Sequence, residues 1–105
     1  MLNSLLEILA PATFTKGIFK FNKGDYLGAA RLLKKSAKWM PDLKNDGMFK
    51  VYSLLVDHNL GKHINIEEVK TAIDKLANSS YKNHKSYIVA EIEINNLLRL
   101  YTKPK

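Results

Sequence analysis

Three histidines are the side chains of this sequence best suited to hold a metal ion or to transfer a proton. His58 and His63 lie five positions apart, across a helix end and a glycine turn, and His84 stands by itself. No HExxH pattern or other spacing typical of zinc ligands surrounds them. We therefore expect exposed or half-buried histidines and no metal site.

The other patterns that support catalysis are missing from the sequence. Glu91 and Glu93 are two positions apart, so on a helix they point in nearly opposite directions and cannot act together. There is no GxSxG and no glycine-rich phosphate loop. The sequence has no cysteine, which excludes a thiol nucleophile, a disulfide framework and cysteine-ligated metals. We expect no enzyme and no cofactor.

A strip of cations is the first feature that points to a function. We call it the basic strip, and its members recur at i, i+3, i+4 and i+7 of a predicted helix: Arg31, Lys34, Lys35 and Lys38. Four like charges on one helix face repel one another, and only Asp42 lies near enough in sequence to relieve them. The basic strip is either a solvated helix face or a docking surface for an acidic protein or a nucleic-acid backbone.

The type of cation helps to distinguish these partners. The chain of 105 residues carries a net charge of +7, of which +6 falls in residues 11–50. Fifteen of the basic residues are lysine and only two are arginine, although arginine is the residue that binds guanine edges and phosphates bidentately. We favour an acidic protein as the partner. The alternative is a basic nucleic-acid-associated protein that uses its Lys-rich helix faces.

Helices must position these residues, because apolar side chains recur along the chain with the helical period. Pro11 is predicted to end a short Leu-rich helix, and a second helix places Phe14, Ile18 and Phe21 on one face. Short turns between helices of this length imply antiparallel hairpins. The sequence therefore predicts an all-α fold of five to six helices.

Helix-breaking and helix-capping residues mark the ends of the later helices. Pro41 ends the helix that carries the basic strip. A strongly apolar helix follows over about 46–59, and its wide apolar arc predicts a central position. Asn65, with a glutamate three positions later, resembles a capping box that begins the next helix. The last helix is predicted over 82–101, although its middle partly alternates like a strand.

Residues 23–41 resemble the second half of a tetratricopeptide repeat. The matching pattern is Lys23-Gly24-Asp25-Tyr26-x-x-Ala29-x-x-x-Leu33-x-Lys35, and it ends at Pro41. Gly17 stands at the small position of the family's first helix, where it would oppose Ala29. The resemblance implies a right-handed stack of about two and a half repeats. Its parts are a short N-terminal helix over 1–10, a first repeat over 12–41, a divergent second repeat over 44–79 and a capping helix over 82–101.

The same resemblance implies a module for protein–protein interaction. Such proteins bind peptides or helices in a concave groove, which Phe14, Ile18 and Phe21 would line here; the alternative is that they pack in the core. The family's Lys/Asn clamp on a terminal carboxylate is not expected, because two of its positions fall on Phe14 and Ile18. The basic strip would lie on the convex side. A chain this small is expected to act by occupying another protein's surface, as an immunity protein or antitoxin does.

The Leu-rich opening of the chain has no targeting or membrane signal. It lacks a basic region and is interrupted by Glu7 and Pro11. We therefore expect a cytoplasmic protein without a membrane partner. An isolated helix this short is marginal in water, so its apolar residues are expected to pack on the Phe14–Phe21 surface of the same chain or of a second copy in a homodimer. These residues are Leu5, Leu6, Ile8 and Leu9.

Overall fold

Five α-helices and one short 3-10 helix form the described part of the chain, which confirms the predicted all-α class. The computed structural model describes the backbone of residues 2–102 and the side chains of residues 9–102. The helices are α1 (Leu2–Asn22), α2 (Tyr26–Trp39), the 3-10 helix (Pro41–Asn45), α3 (Gly47–Asn59), α4 (Ile66–Leu76) and α5 (Tyr87–Thr102). No β-strand occurs within residues 2–102.

The turn between α1 and α2 forms as its residue types predict. Gly24 has a φ of +84°, a left-handed conformation that glycine adopts without steric cost. Asp25 caps α2, because its side chain accepts a hydrogen bond of 2.9 Å from the Gly28 amide. The Phe21 and Tyr26 rings pack across the turn with centroids 5.5 Å apart. These contacts make α1 and α2 an antiparallel hairpin.

Pro11 does not separate two helices, so the predicted short helix over 1–10 is wrong. α1 continues through Pro11 without a break, although proline removes one backbone hydrogen bond from a helix interior. Ala10, Phe14 and Ile18 recur every four residues and are all buried. Packing of this continuous face outweighs the lost hydrogen bond.

Gly17 lies where α1 and α2 approach closely. A Cβ atom at Gly17 would lie 3.2 Å from Leu33 Cδ2 and 3.5 Å from Leu32 Cβ, so its nearest neighbours include these two leucines. Ala29 is fully buried in the core, one helical turn before Leu33. The direct pairing of Gly17 with Ala29 stays a prediction.

α3 is the central helix, as its wide apolar arc predicts. It packs against α2 on one side and against α4 and α5 on the other. Val51 and Val56, which the helical period places on different sides of it, are both buried. The Tyr52 hydroxyl donates a hydrogen bond of 3.1 Å to the Ser86 carbonyl, which ties α3 to the start of α5.

Asn65 caps α4 by accepting a hydrogen bond of 2.8 Å from the Glu67 amide.

α3 and α4 approach each other closely where α3 begins and α4 ends. At the start of α3, Gly47 lies directly against the backbone of Lys75 and Leu76. A side chain at this position has no room, because backbone atoms cannot move aside as a flexible side chain can.

The last helix begins later than predicted. Residues 82–86 form turns, and α5 starts at Tyr87. The reason is tertiary: the Ser79 hydroxyl is bonded to the Asp46 carboxylate at 2.6 Å, and the Tyr81 ring packs edge-on against Phe14 at 5.1 Å. These contacts hold the segment in a non-helical course.

The predicted packing of Leu5, Leu6 and Ile8 lies outside the residues whose side chains the structure describes. Leu9 is exposed. Across residues 2–102, no helix combines the length and the apolar character needed to cross a membrane.

Candidate functional site

The aromatic face predicted to bind a partner lies in the interior of the fold. Phe14 is fully buried, and its ring lies 5.6 Å from that of Phe49. Ile18 is also buried, and Phe21 packs edge-on against Tyr52 at 5.6 Å. Phe14 and Ile18 fill the core, and the half-buried Phe21 packs against it, so the three side chains do not line an open groove. The core alternative describes them correctly, and the concave-groove assignment is wrong.

The basic strip lies on the outer surface of α2, and all four of its side chains are exposed. The Lys35 ammonium group lies 4.9 Å from the centroid of the Trp39 ring, within the range of a cation–π interaction. Lys34 and Lys38 point to the other side and border a groove between α2 and α3. The basic strip therefore has two edges: Lys35 lies against Trp39 on one, and Lys34 and Lys38 border the groove on the other.

This groove, which we call the basic groove, combines an apolar floor with a cationic rim. Its volume is about 470 Å³. Small and apolar side chains from α2 and α3 form its floor: Ala30, Leu33, Ala37, Phe49 and Val56. Four lysines from three parts of the chain surround it: Lys34, Lys38, Lys44 and Lys62. Ser53 and Asp57 complete its lining.

The charge of the basic groove is only partly neutralised. Lys62 lies 3.7 Å from the Asp57 carboxylate, and both side chains are exposed, so this ion pair is weak. No ion pair among the described residues involves Lys34, Lys38 or Lys44. Three cations therefore lie at the rim of an apolar surface with water as their main partner.

A second groove lies on the other side of α3, against α4. It has a volume of about 430 Å³ and carries charges of both signs. Its lining includes Lys44, Lys50, Glu67 and Glu68 together with the apolar Leu54. The two grooves share Lys44 of the 3-10 helix and three residues along α3, which forms the ridge between them: Phe49, Ser53 and Asp57.

The histidines are arranged in separate places. His58 Nδ1 lies 3.3 Å from the Tyr101 hydroxyl, and the two rings pack edge-on. The His84 ring accepts a hydrogen bond of 3.1 Å from the Ser86 amide, and His63 is exposed. Within residues 2–102, no group of three or more potential ligands could hold a metal ion.

Two cations of the basic groove were missed by the sequence analysis. Lys44 belongs to the 3-10 helix, and Lys62 follows the end of α3. A search for cations on one helix face cannot find them, because only the packing of α2 on α3 brings them to the same rim. The sequence indicates them only in that the connection before α3 and the connection after it each contain a lysine.

Comparison with protein-family models, with curated proteins and with solved structures found no match to this chain. Its site is therefore interpreted from its own geometry and charge. The arrangement is suited to binding, because it joins apolar surface to unpaired cations.

Proposed function

We propose that this protein is a non-catalytic, tetratricopeptide-like interaction module that binds an acidic segment of another protein in the basic groove. The observation that carries the proposal is the apolar floor bordered by Lys34, Lys38 and Lys44, none of which forms an ion pair within the described residues. The bound segment has apolar side chains toward the floor and carboxylates toward the lysines.

The two parts of the groove have different roles in this interaction. Ala37, Phe49 and Val56 are already buried in the core, so the half-buried Ala30 provides apolar surface whose removal from water favours binding. The rim lysines stay hydrated, so they contribute mainly to the association rate and to the choice of partner. Ala30 and Ala37 have short side chains, which allows a helix or an extended chain to approach the α2 backbone closely.

An acidic protein fits this surface better than a nucleic acid does. Nucleic-acid surfaces that track a phosphate backbone combine cations with exposed aromatic rings on which bases stack. The basic groove has one aromatic floor residue, Phe49, which is buried. Trp39 is half-buried and already covered by Lys35. Arg31 is the single arginine of the strip.

A toxin-neutralising protein is a specific form of the same function. In that case the acidic segment belongs to the toxin, and binding covers the toxin's working surface. An immunity protein or antitoxin needs no catalytic group of its own. Charge complementarity between the rim lysines and an acidic toxin surface would give such a protein its association rate and its choice of partner.

A titration with a synthetic acidic amphipathic peptide tests the proposal. The peptide carries leucines on one face and glutamates on both flanks, and Trp39 fluorescence or peptide anisotropy reports binding. Replacing Lys34, Lys38 and Lys44 by Gln is expected to weaken binding by about tenfold or more. The matched control replaces Lys75, Lys82 and Lys85 by Gln, which removes the same charge from other exposed positions.

Three outcomes contradict the proposal. One is equal weakening by both triple variants, which indicates a general charge effect. Another is binding that does not change between about 0.05 and 0.5 M salt, since exposed charges are screened over this range. The third is tighter binding of a random single-stranded RNA with a steep salt dependence, which supports the nucleic-acid alternative.

A further inference from the structure

The outward face of the first half of α5 is apolar, although nothing in the described chain covers it. Ile88 and Ile92 are 66% and 53% exposed, and Val89 lies beside them. The opposite face of α5 packs on the fold through Ala90 and Ile94. Helical arrays usually end in a helix with a polar outer face, because an apolar end is poorly soluble.

Acidic residues flank this apolar face. Glu91 and Glu93 are both exposed, and the helical period places them on opposite sides of Ile92. They are the acidic residues of α5. Arg99 lies on the same face as Ile92, nearly two turns further on, and its guanidinium group donates to the Asn96 side chain. The first half of α5 is therefore an apolar stripe between two carboxylates.

The outward face of α1 has the same pattern with the opposite charge. Leu9, Ala12 and Phe19 are exposed, and Phe19 is 56% accessible. With Lys16 and Lys23 they follow the spacing three, four, three, four, which keeps residues on one helix face. The Lys23 ammonium group lies 4.4 Å from the centre of the Phe19 ring.

Other charges near this face leave it cationic. Lys20 is exposed on its edge and lies 3.7 Å from the Asp25 carboxylate, which neutralises it in part. Lys16 and Lys23 form no ion pair among the described residues. The α1 face is therefore an apolar stripe with at least two free cations.

We propose that α5 of one copy of this protein packs on the outward face of α1 of a second copy. Ile88 and Ile92 then lie against the Phe19 region, and Glu91 and Glu93 lie near Lys16 and Lys23. The contact joins two different surfaces, so each copy keeps one free end. Such heterologous contacts produce rings or open chains. The basic groove between α2 and α3 is not used.

Charge decides between this contact and its symmetric alternatives. An α5–α5 pair that crosses at Ile92 brings Glu91 and Glu93 of both copies together, and one that crosses further along places the polar Asn95 and Arg99 against the apolar stripe. An α1–α1 pair brings together the lysines of both copies. Like charges in a contact oppose association, whereas the mixed pair joins opposite charges. Of the three pairings, only α5 on α1 buries both apolar faces without concentrating one sign of charge.

Sedimentation of the full chain over a range of concentrations tests the proposal. The wild-type protein is expected to exceed the mass of a dimer as its concentration rises. Phe19→Asp and Ile92→Asp should each lower the association constant by about tenfold or more, because each buries a charge in the contact. Leu27→Asp is the matched control, since Leu27 is an exposed apolar residue of α2 outside both faces.

The decisive measurement mixes the two variants. Phe19→Asp keeps an intact α5 face and Ile92→Asp keeps an intact α1 face, so the mixture should form a one-to-one heterodimer and stop there. Circular dichroism of each variant checks that its helices are retained. A wild-type protein that stays monomeric up to about 1 mM, a concentration at which even weak association would be seen, overturns the proposal. So does loss of association by only one variant, which indicates a symmetric pair, or a mixture that stays monomeric.

Discussion

The Asp46 carboxylate accepts a hydrogen bond of 2.6 Å from the Ser79 hydroxyl, although the two residues are 33 positions apart. The same carboxylate caps α3 through the Met48 amide at 2.9 Å. It also accepts bonds of 3.0 and 2.9 Å from the amide and the hydroxyl of Ser80. One side chain thus begins α3 and holds the segment that follows α4 against it.

Asp46→Ala is expected to lower the free energy of unfolding by about 2–3 kcal/mol, since it removes a helix cap and the serine contacts together. Urea denaturation measures the loss. Asp25→Ala is the comparison, because Asp25 caps α2 through one hydrogen bond and should cost about 1 kcal/mol. Equal losses in the two variants would show that the serine contacts add nothing to stability.

The contrast between these two aspartates explains what the sequence could predict. The cap at Asp25 and the helix start at Asn65 are local signals, and the structure confirms both. The contacts of Asp46 with Ser79 and Ser80 join distant segments, and no local pattern reports them. They fix the chain just before residues 82–86, which form turns, and α5 starts at Tyr87, later than predicted.

Gly47→Ala is expected to destabilise the protein by about 1–3 kcal/mol or more, as overpacking of a close contact does. The added Cβ would meet backbone atoms of Lys75 and Leu76, so α3 and α4 would have to separate. Thermal unfolding measures the effect.

Gly17→Ala is the control for Gly47→Ala. Its added Cβ would meet the Leu33 side chain at 3.2 Å, and a side chain can adjust where a backbone cannot. A smaller loss is expected than at Gly47. A loss as large at Gly17 would indicate that side-chain relaxation does not distinguish the two sites.

Alkaline pH should weaken the fold through Tyr52. Burial raises the pKa of its hydroxyl to about 12, from 10.0 in the unfolded chain. The folded state therefore holds this proton more tightly. Its contribution to stability is complete below pH 10 and declines as the pH rises toward 12.

Tyr52→Phe isolates that contribution. The variant loses the hydrogen bond to the Ser86 carbonyl, which is expected to cost about 1 kcal/mol at neutral pH. Urea denaturation at several pH values should show the difference between wild type and variant shrinking above about pH 10. Burial raises the pKa of Tyr81 in the same direction, so only this difference reports Tyr52. A difference that does not change with pH would contradict the assignment.

Ala30→Glu should block the basic groove without harming the fold. Ala30 is half-buried in its lining, and a glutamate there lies four positions before Lys34, a spacing that stabilises a helix by about 0.2–0.5 kcal/mol. The new carboxylate competes with an acidic ligand for the same lysine. Binding of the acidic peptide should fall while the melting temperature stays unchanged. Undiminished binding would place the peptide elsewhere.

The candidate site shows a second limit of sequence-based prediction. Lys34 and Lys38 are found by their helical spacing. Phe14, Ile18 and Phe21 also have a clear helical spacing, but periodicity cannot tell a groove from a core. α3 and Tyr81 cover these side chains, and that contact is decided by tertiary packing alone.

The order of helix packing has a consequence for how fast this chain folds. α1 packs on α2, α3 on α4 and α4 on α5, so most contacts join neighbours in sequence. Chains with such local contacts fold in microseconds to milliseconds, because little loop entropy is lost before contacts form. The bond between Asp46 and Ser79 closes a much longer loop and is expected to form after the barrier. Ser79→Ala removes this bond and keeps the Asp46 cap of α3, so it should accelerate unfolding and leave the folding rate nearly unchanged.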